Sequence, residues 1–231
     1  MTTRLSLTST LLLLTASLSA ADLRYTDIRV GVGIGAGPDE ADVDYDAGDR
    51  SAAPSGRGDV ELDGDVTGRL RVGVVHGRAT AWGGWYVGGG LELGAGRLDI
   101  SSATGDEDFD DTSFNVARVY AEVGYVYAFN DRLHLEVGPT GSVGVVSTTW
   151  IDQDDAGRWE SETGGGASFA YGARVGVYGR IGRGFILGVS GGIERSESEA
   201  EVEFEDGSEG DADVRLVTTG AYGSAEFGWR F

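Results

Sequence analysis

The stretch that decides the fold is Ala221-Tyr222-Gly223-Ser224-Ala225-Glu226-Phe227-Gly228-Trp229-Arg230-Phe231. Aromatic side chains fall at Phe227, Trp229 and Phe231, with Glu226, Gly228 and Arg230 between them. A period of two is that of a β-strand, whose successive side chains point to opposite faces. One face here is apolar, and the other carries glycine and charge. On a water-soluble protein an edge strand with exposed Phe and Trp would template aggregation. A closed barrel whose outer face meets lipid removes that hazard and seats the aromatics in an interfacial girdle.

Seven further segments alternate in the same way. Ile28, Val30, Val32 and Ile34 are set against Arg29, Gly31 and Gly33, and Ala117, Val119, Ala121 and Val123 against Arg118, Tyr120 and Glu122. Runs around residues 69–74, 85–93, 133–143, 169–180 and 185–194 repeat the pattern. Eight segments of roughly 10–13 residues predict an all-β fold, an eight-stranded antiparallel up-and-down transmembrane β-barrel. Charges and most glycines share one phase, which is therefore the interior. A soluble eight-stranded barrel would place its apolar phase inside instead.

Short turns are expected at His76-Gly77-Arg78, Asn130-Asp131 and Gly182-Arg183-Gly184, where the turn residues cluster. Between them lie long acidic loops at 37–65, 97–113, 147–166 and 195–213. These loops hold 30 of the 38 acidic residues but only Arg50, Arg57, Arg97, Arg158 and Arg195 of the 18 basic ones. Short turns belong on the periplasmic side of an outer-membrane barrel, which predicts both termini in the periplasm.

Residues 1–21 read as a signal peptide: Arg4, an apolar centre at Leu11 to Leu14, and small residues at Ser19-Ala20-Ala21. The barrel domain then spans 22–231. A net charge of −20 argues against nucleic-acid partners. With no cysteine in the chain, disulfides and thiolate metal sites are excluded. Every basic residue is arginine, whose planar fork suits buried pairing with carboxylates, although genomic base composition can give the same bias.

The signal segment, eight strands, short turns, long loops and terminal phenylalanine together resemble the small outer-membrane barrels of the OmpA/OmpX type. The resemblance covers the whole of 22–231 and is architectural. It implies the fold and the outer membrane; that family includes anchors, adhesins, invasion and serum-resistance factors and a few lipid-modifying enzymes, so it does not choose a function.

Phase places Asp27, Glu92, Glu122, Glu136, Glu194 and Glu226 inside, together with Arg29, Arg69, Arg71, Arg118, Arg174, Arg180 and Arg230. Of these, Arg29, Arg71, Glu122, Glu136, Arg174 and Glu226 are expected at similar heights, forming a lumenal charge network that plugs the barrel. His134, two residues from Glu136, points inward without the serine that lipid A deacylases pair with histidine. Residues 152–160 echo a calcium loop only weakly, since Ala156 and Thr163 replace ligands.

The leading expectation is a structural or surface-interaction (adhesion-type) protein, not an enzyme, with no cofactor and no metal site. A small gated pore and an outer-leaflet lipid-modifying hydrolase are the alternatives. Expected partners are outer-membrane lipid and lipopolysaccharide, and the barrel-assembly machinery, with Phe227, Trp229 and Phe231 as its signal. A basic surface partner or loosely bound divalent cations would meet the acidic loops. The loop segments 37–65 and 195–213 are patterned like hairpins that outreach the membrane, and an exposed strand edge there would accept a partner strand.

Overall fold

The computed structural model describes residues 22–38, 40–46, 56–59, 61–62, 66–80, 82–101, 108–153, 159–203 and 211–231. The expected signal segment 1–21 lies outside them, as do 47–55, 102–107, 154–158 and 204–210 within the long loops. In chain order the strands are β1 (Leu23–Gly35), β2 (Glu40–Asp46), β3 (Gly56–Asp59), β4 (Glu61–Leu62), β5 (Thr67–Thr80), β6 (Gly83–Ser101), β7 (Asp108–Ala128), β8 (Leu133–Gln153), β9 (Trp159–Ile181), β10 (Phe185–Glu203) and β11 (Asp211–Arg230). Strands β1, β5, β6, β7, β8, β9, β10 and β11 form one antiparallel ring, closed where β1 pairs β11. Ile28 stands opposite Trp229, and Val30 opposite Phe227, on that closing seam.

The short strands extend the first hairpin. Strand β2 takes up the β11 ladder where β1 leaves it: Gly35 pairs Tyr222, and five residues further on Glu40 pairs Val217 in the same register. Pro38 stands between them and has no N–H to donate. Strand β3 pairs β2, and β4 pairs the far end of β6, as β5 pairs its near end. The edges of β10 and β11 are taken up by β9 and β2, whereas β3 pairs only β2 and β4 only β6, so each of these short strands keeps one edge without a ladder partner among the described residues.

Strands β6 to β11 run 19–23 residues, longer than the 10–13 expected from the apolar pattern. From Ala117 to Tyr127 the outward face of β7 is mostly apolar, about 33 Å of strand, or ~25 Å along the membrane normal at a tilt of about 40°. The remainder projects beyond the apolar belt.

The first short turn falls between Thr80 and Gly83, not at His76-Gly77-Arg78, which continues β5 against Trp85–Val87. Gly77 serves packing, since a Cβ there would overlap the Tyr25 ring. The turn itself uses Gly83, at a φ of 98° that L side chains rarely adopt. The other two turns stand where the sequence places them. At Asn130 the side-chain oxygen accepts the N–H groups of Arg132 and Leu133, and Gly182 takes a φ of 64°.

Large inward side chains face glycine across the ladder. Arg29 stands between Gly73 and Gly228, Arg174 between Gly138 and Gly192, and Tyr178 opposite Gly188. A Cβ on Gly176 would sit 2.6 Å from Cε2 of Tyr178, and one on Gly88 2.9 Å from Oε1 of Glu122. Glycine costs strand stability, but in a narrow barrel it creates the room that arginine and tyrosine fill.

Candidate functional site

The lumen holds two stacked charge clusters. The one nearer the short turns is centred on Glu136. Arg29 donates to it through both terminal nitrogens, at 2.7 Å each, the bidentate geometry in which guanidinium and carboxylate bind most strongly. Tyr25 donates its hydroxyl to the same carboxylate at 2.5 Å, and His134 Nε2 lies 3.2 Å away. Arg29 also reaches Asp27 at 2.8 Å, and Arg230 binds Asp27 at 2.7 and 2.9 Å. Arg174 completes the cluster, donating to Glu122 at 2.8 Å, to Glu226 at 2.5 Å and to the Tyr178 hydroxyl. The Tyr178 ring packs against the Arg29 guanidinium at 3.8 Å.

The second cluster, nearer the projecting end, is centred on Glu92. Arg69 donates to Glu92 at 2.7 Å and to Glu194 at 2.8 Å, and Arg71 Nε lies 2.9 Å from Glu92. Arg118 approaches the same two carboxylates at 3.4 and 3.6 Å, and donates to Ser168 at 2.9 Å. Arg71 stacks on Tyr120 at 4.0 Å, and Arg69 on Tyr222 at 4.5 Å.

Of the six residues expected to share one network, Arg29, Glu122, Glu136, Arg174 and Glu226 meet in the first cluster. Arg71 does not; it lies directly across the ladder from Glu92 and belongs to the second. Arg180 leaves the lumen at the turn end, where it pairs with the exposed Asp131 at 3.4 Å. The interior set is thus six carboxylates with six guanidiniums, rather than six with seven. Asp27 and Arg230 prove integral to the first cluster, and the Tyr25-Asp27-Arg29 alternation is the sequence signal for them. The tyrosines that line the charges carry only that inward phase as a signal.

His134 is fully buried between the rings of Tyr25 and Tyr178, at centroid distances of 4.8 and 5.5 Å. Solvent does not reach it. His76 is exposed on the outer wall, with Nδ1 2.9 Å from the Thr26 hydroxyl and its ring beside Trp85. Asp152 and Glu160 of the calcium-like stretch are ladder partners on β8 and β9, the geometry of a hairpin arm. Among the described residues no three His, Asp or Glu side chains converge on a metal position.

Above the apolar belt the wall changes character. Glu199, Glu201, Asp213 and Arg215 face outward, while Ala200, Val214 and Leu216 on the same strands are buried inside. Glu197 accepts hydrogen bonds from Arg215 at 3.0 Å and Arg195 at 3.2 Å, which hold its carboxyl below the usual range. At the opposite end Phe227, Trp229 and Phe231 lie on the outer face. The backbone N–H of Phe231 donates to Thr26 on β1 at 3.0 Å, which fastens the end of the closing strand across the seam.

A ring of strands with an apolar outer belt, aromatic rims and a charged, filled interior is the fold of an outer-membrane β-barrel protein. One solved structure agrees in fold. The chain is similar to the outer membrane protein OprG from Pseudomonas aeruginosa, with 15% identity, a TM-score of 0.54, and coverage of 91% of this chain and 97% of that one. It also aligns with Ail, the attachment invasion locus protein of Yersinia pestis, at 16% identity and a TM-score of 0.34, over 90% of this chain and 99% of that one. With the outer membrane protease OmpT from Escherichia coli the identity is 11% and the TM-score 0.35, over 94% of this chain and the whole of that one. No family model matches the chain, and no curated protein matches its sequence.

Proposed function

We infer that the protein is a non-conducting barrel of the outer membrane whose working surface is its acidic projection. The observation that carries this reading is the pair of clusters spanning the lumen, in which twelve charges are held by one another and by stacked tyrosines. Water and ions would have to break bidentate ion pairs to pass. With the lumen filled and His134 sealed between two rings, the lumen offers no accessible histidine, which favours a function on the outer wall above the lipid.

In this reading the short turns and both termini face the periplasm, and the projection stands outside the cell. Phe227, Trp229 and Phe231 present the lipid-facing end of the closing strand to the barrel-assembly machinery. The acidic wall repels lipopolysaccharide phosphates unless divalent cations bridge them, and attracts basic surface partners. Such attraction is screened over about 8 Å at physiological ionic strength, so it falls as salt rises.

Two recordings test this. In planar bilayers the wild-type barrel should show no stable open state, and a persistent large conductance would replace the closed barrel with a pore. Binding of the folded protein to a cationic surface should fall when the tips of 37–65 and 195–213 are replaced by Gly-Asn turns, and should fall with added salt. Binding indifferent to both changes would leave the barrel a purely structural element.

A further inference from the structure

Arg24 on β1 and Arg78 on β5 stand directly opposite one another on the ladder, on its outward face. Directly opposed like charges destabilise a strand pair, and an anion between them removes the repulsion. Among the described residues, the one carboxylate within 4 Å of either guanidinium is that of Asp22, whose Oδ1 lies 3.8 Å from the Nε of each. That is ion-pair reach but too far for a hydrogen bond. The Arg24 and Arg78 side chains are 63% and 49% exposed. Two guanidiniums sharing one loosely held carboxylate leave one positive charge in surplus, with their N–H donors open to the outside.

The pair lies at the lipid surface. Along the same outward faces Ile28 and Val74 are each four residues away toward the apolar belt, about 13 Å of strand. Trp85 on β6 is directly across from Arg78, half-exposed, with the His76 ring 5.7 Å from its own. Trp82, fully exposed, stands in the adjoining turn, and Phe231, fastened to Thr26, closes the other flank. Aromatic rings of this kind settle at the level of the lipid headgroups, which sets the two guanidiniums among the phosphates. This end of the barrel also favours anions, although the chain as a whole is acidic. Outside the lumen its described side chains are Arg24, Arg78, Arg132, Arg180 and Arg183 against the carboxylates of Asp22 and Asp131.

We propose that Arg24 and Arg78 form a site for one anionic phospholipid, a phosphodiester whose headgroup carries no ammonium, as in phosphatidylglycerol. Its phosphate oxygens accept N–H groups from both guanidiniums, the pairing for which arginine's planar fork is suited. Its single charge cancels the surplus, which a headgroup ammonium would restore. The acyl chains follow β1 and β5 past Ile28 and Val74 into the apolar belt, and this separates a lipid from free phosphate. The site is independent of the acidic projection and of the choice of leaflet. With the short turns facing the periplasm, the lipid belongs to the periplasmic leaflet.

The test is native mass spectrometry of the folded barrel released from non-ionic detergent, with phosphatidylglycerol or phosphatidylcholine of the same acyl chains added. One phosphatidylglycerol per chain should be retained, about tenfold or more tightly than phosphatidylcholine, the size expected of charge-assisted hydrogen bonds. The double substitution Arg24→Gln and Arg78→Gln should abolish that preference. Arg132→Gln, in another turn of the same end, should keep it, and Asp22→Asn should raise it because the competing carboxylate is gone. All of these side chains are exposed, and heat-modifiable gel mobility confirms that each variant is folded. Equal retention of the two lipids by the wild type would overturn the proposal. So would a preference that survives the double substitution, or one that falls with Asp22→Asn or as much with Arg132→Gln. Displacement of the lipid by an equal concentration of inorganic phosphate would also overturn it, since the arginines would then hold any phosphate and select no lipid.

Discussion

Strands β10 and β11 can be read twice, once inside the membrane and once above it. Within the apolar belt their outward side chains are Leu187, Val189, Ile193 and Phe227, and their inward ones include Glu194 and Glu226. Above it the outward side chains are Glu199, Glu201, Asp213 and Arg215, and the inward ones Ala200, Val214 and Leu216. The pleat does not slip between the two regions; the ladder from Phe185–Trp229 to Glu203–Asp211 is in one unbroken register. What changes is which phase carries the apolar residues. Ile193 is 67% exposed, whereas Leu216 is 4% exposed. The lower half is built inside-out, for lipid, and the upper half is built like a soluble barrel, for water.

The difference shows what each solvent demands. Lipid accepts Leu and Val but no charge, so charge in the lower half must go inward and be paired. Water accepts carboxylates and excludes apolar surface, so the upper half closes over a small core. The acidic residues are sorted along the chain because the two halves alternate along it.

The largest effect should come from breaking the paired interior. Glu136→Ala leaves Arg29 and Tyr25 buried without their shared acceptor and should destabilise by about 3–5 kcal/mol, read by denaturant unfolding from lipid vesicles. Glu201→Ala, on the projecting outer wall, should stay within about 0.5 kcal/mol of wild type. Equal losses at the two sites would erase the distinction between the halves.

Next in size is charge placed on the wrong solvent. Val189→Arg puts a guanidinium on the lipid face and should cost about 2–4 kcal/mol if it lies near the midplane. Glu201→Arg, twelve residues further along the same face and opposite Asp213, should be nearly neutral in stability. Filling the interior should cost somewhat less: Gly188→Val drives a branched side chain into Tyr178, for about 1–3 kcal/mol. The smallest equilibrium effect is expected for deletion of Phe231, which is 75% exposed. Its consequence should appear in assembly, as a reduced fraction of protein with heat-modifiable gel mobility. An unchanged fraction would separate the aromatic terminus from insertion.

Much of this fold is legible in the chain because lipid enforces a strict alternation, as at Phe227, Trp229 and Phe231. The β5–β6 hairpin was not, because Gly77 reads as a turn residue when its role is to admit the Tyr25 ring. That error propagates. A turn centred on Gly77 sets Arg71 opposite Gly83, whereas the real turn sets it opposite Glu92, its ion-pair partner. Arg29 and Glu136 are 107 residues apart and meet across the lumen. No local period encodes such a pair, since it depends on strand tilt and stagger around the whole ring. The projection was legible at 37–65 and 195–213, where alternation continues past the membrane, but not at 97–113 and 147–166, where β6 to β9 run on into segments expected as loops.

The exchange of faces can be measured along a single strand. The chain has no cysteine, so single cysteines at Leu187, Val189, Ile193, Glu197, Glu199 and Glu201 can each carry a nitroxide in the membrane-inserted protein. Collision with oxygen, which concentrates in lipid, and with a water-soluble nickel complex then reports the solvent at each position. Oxygen should dominate from Leu187 to Ile193 and the nickel complex from Glu197 to Glu201, with the crossover falling between Ile193 and Glu197. Nickel access at Val189, or oxygen dominance through Glu201, would contradict the account.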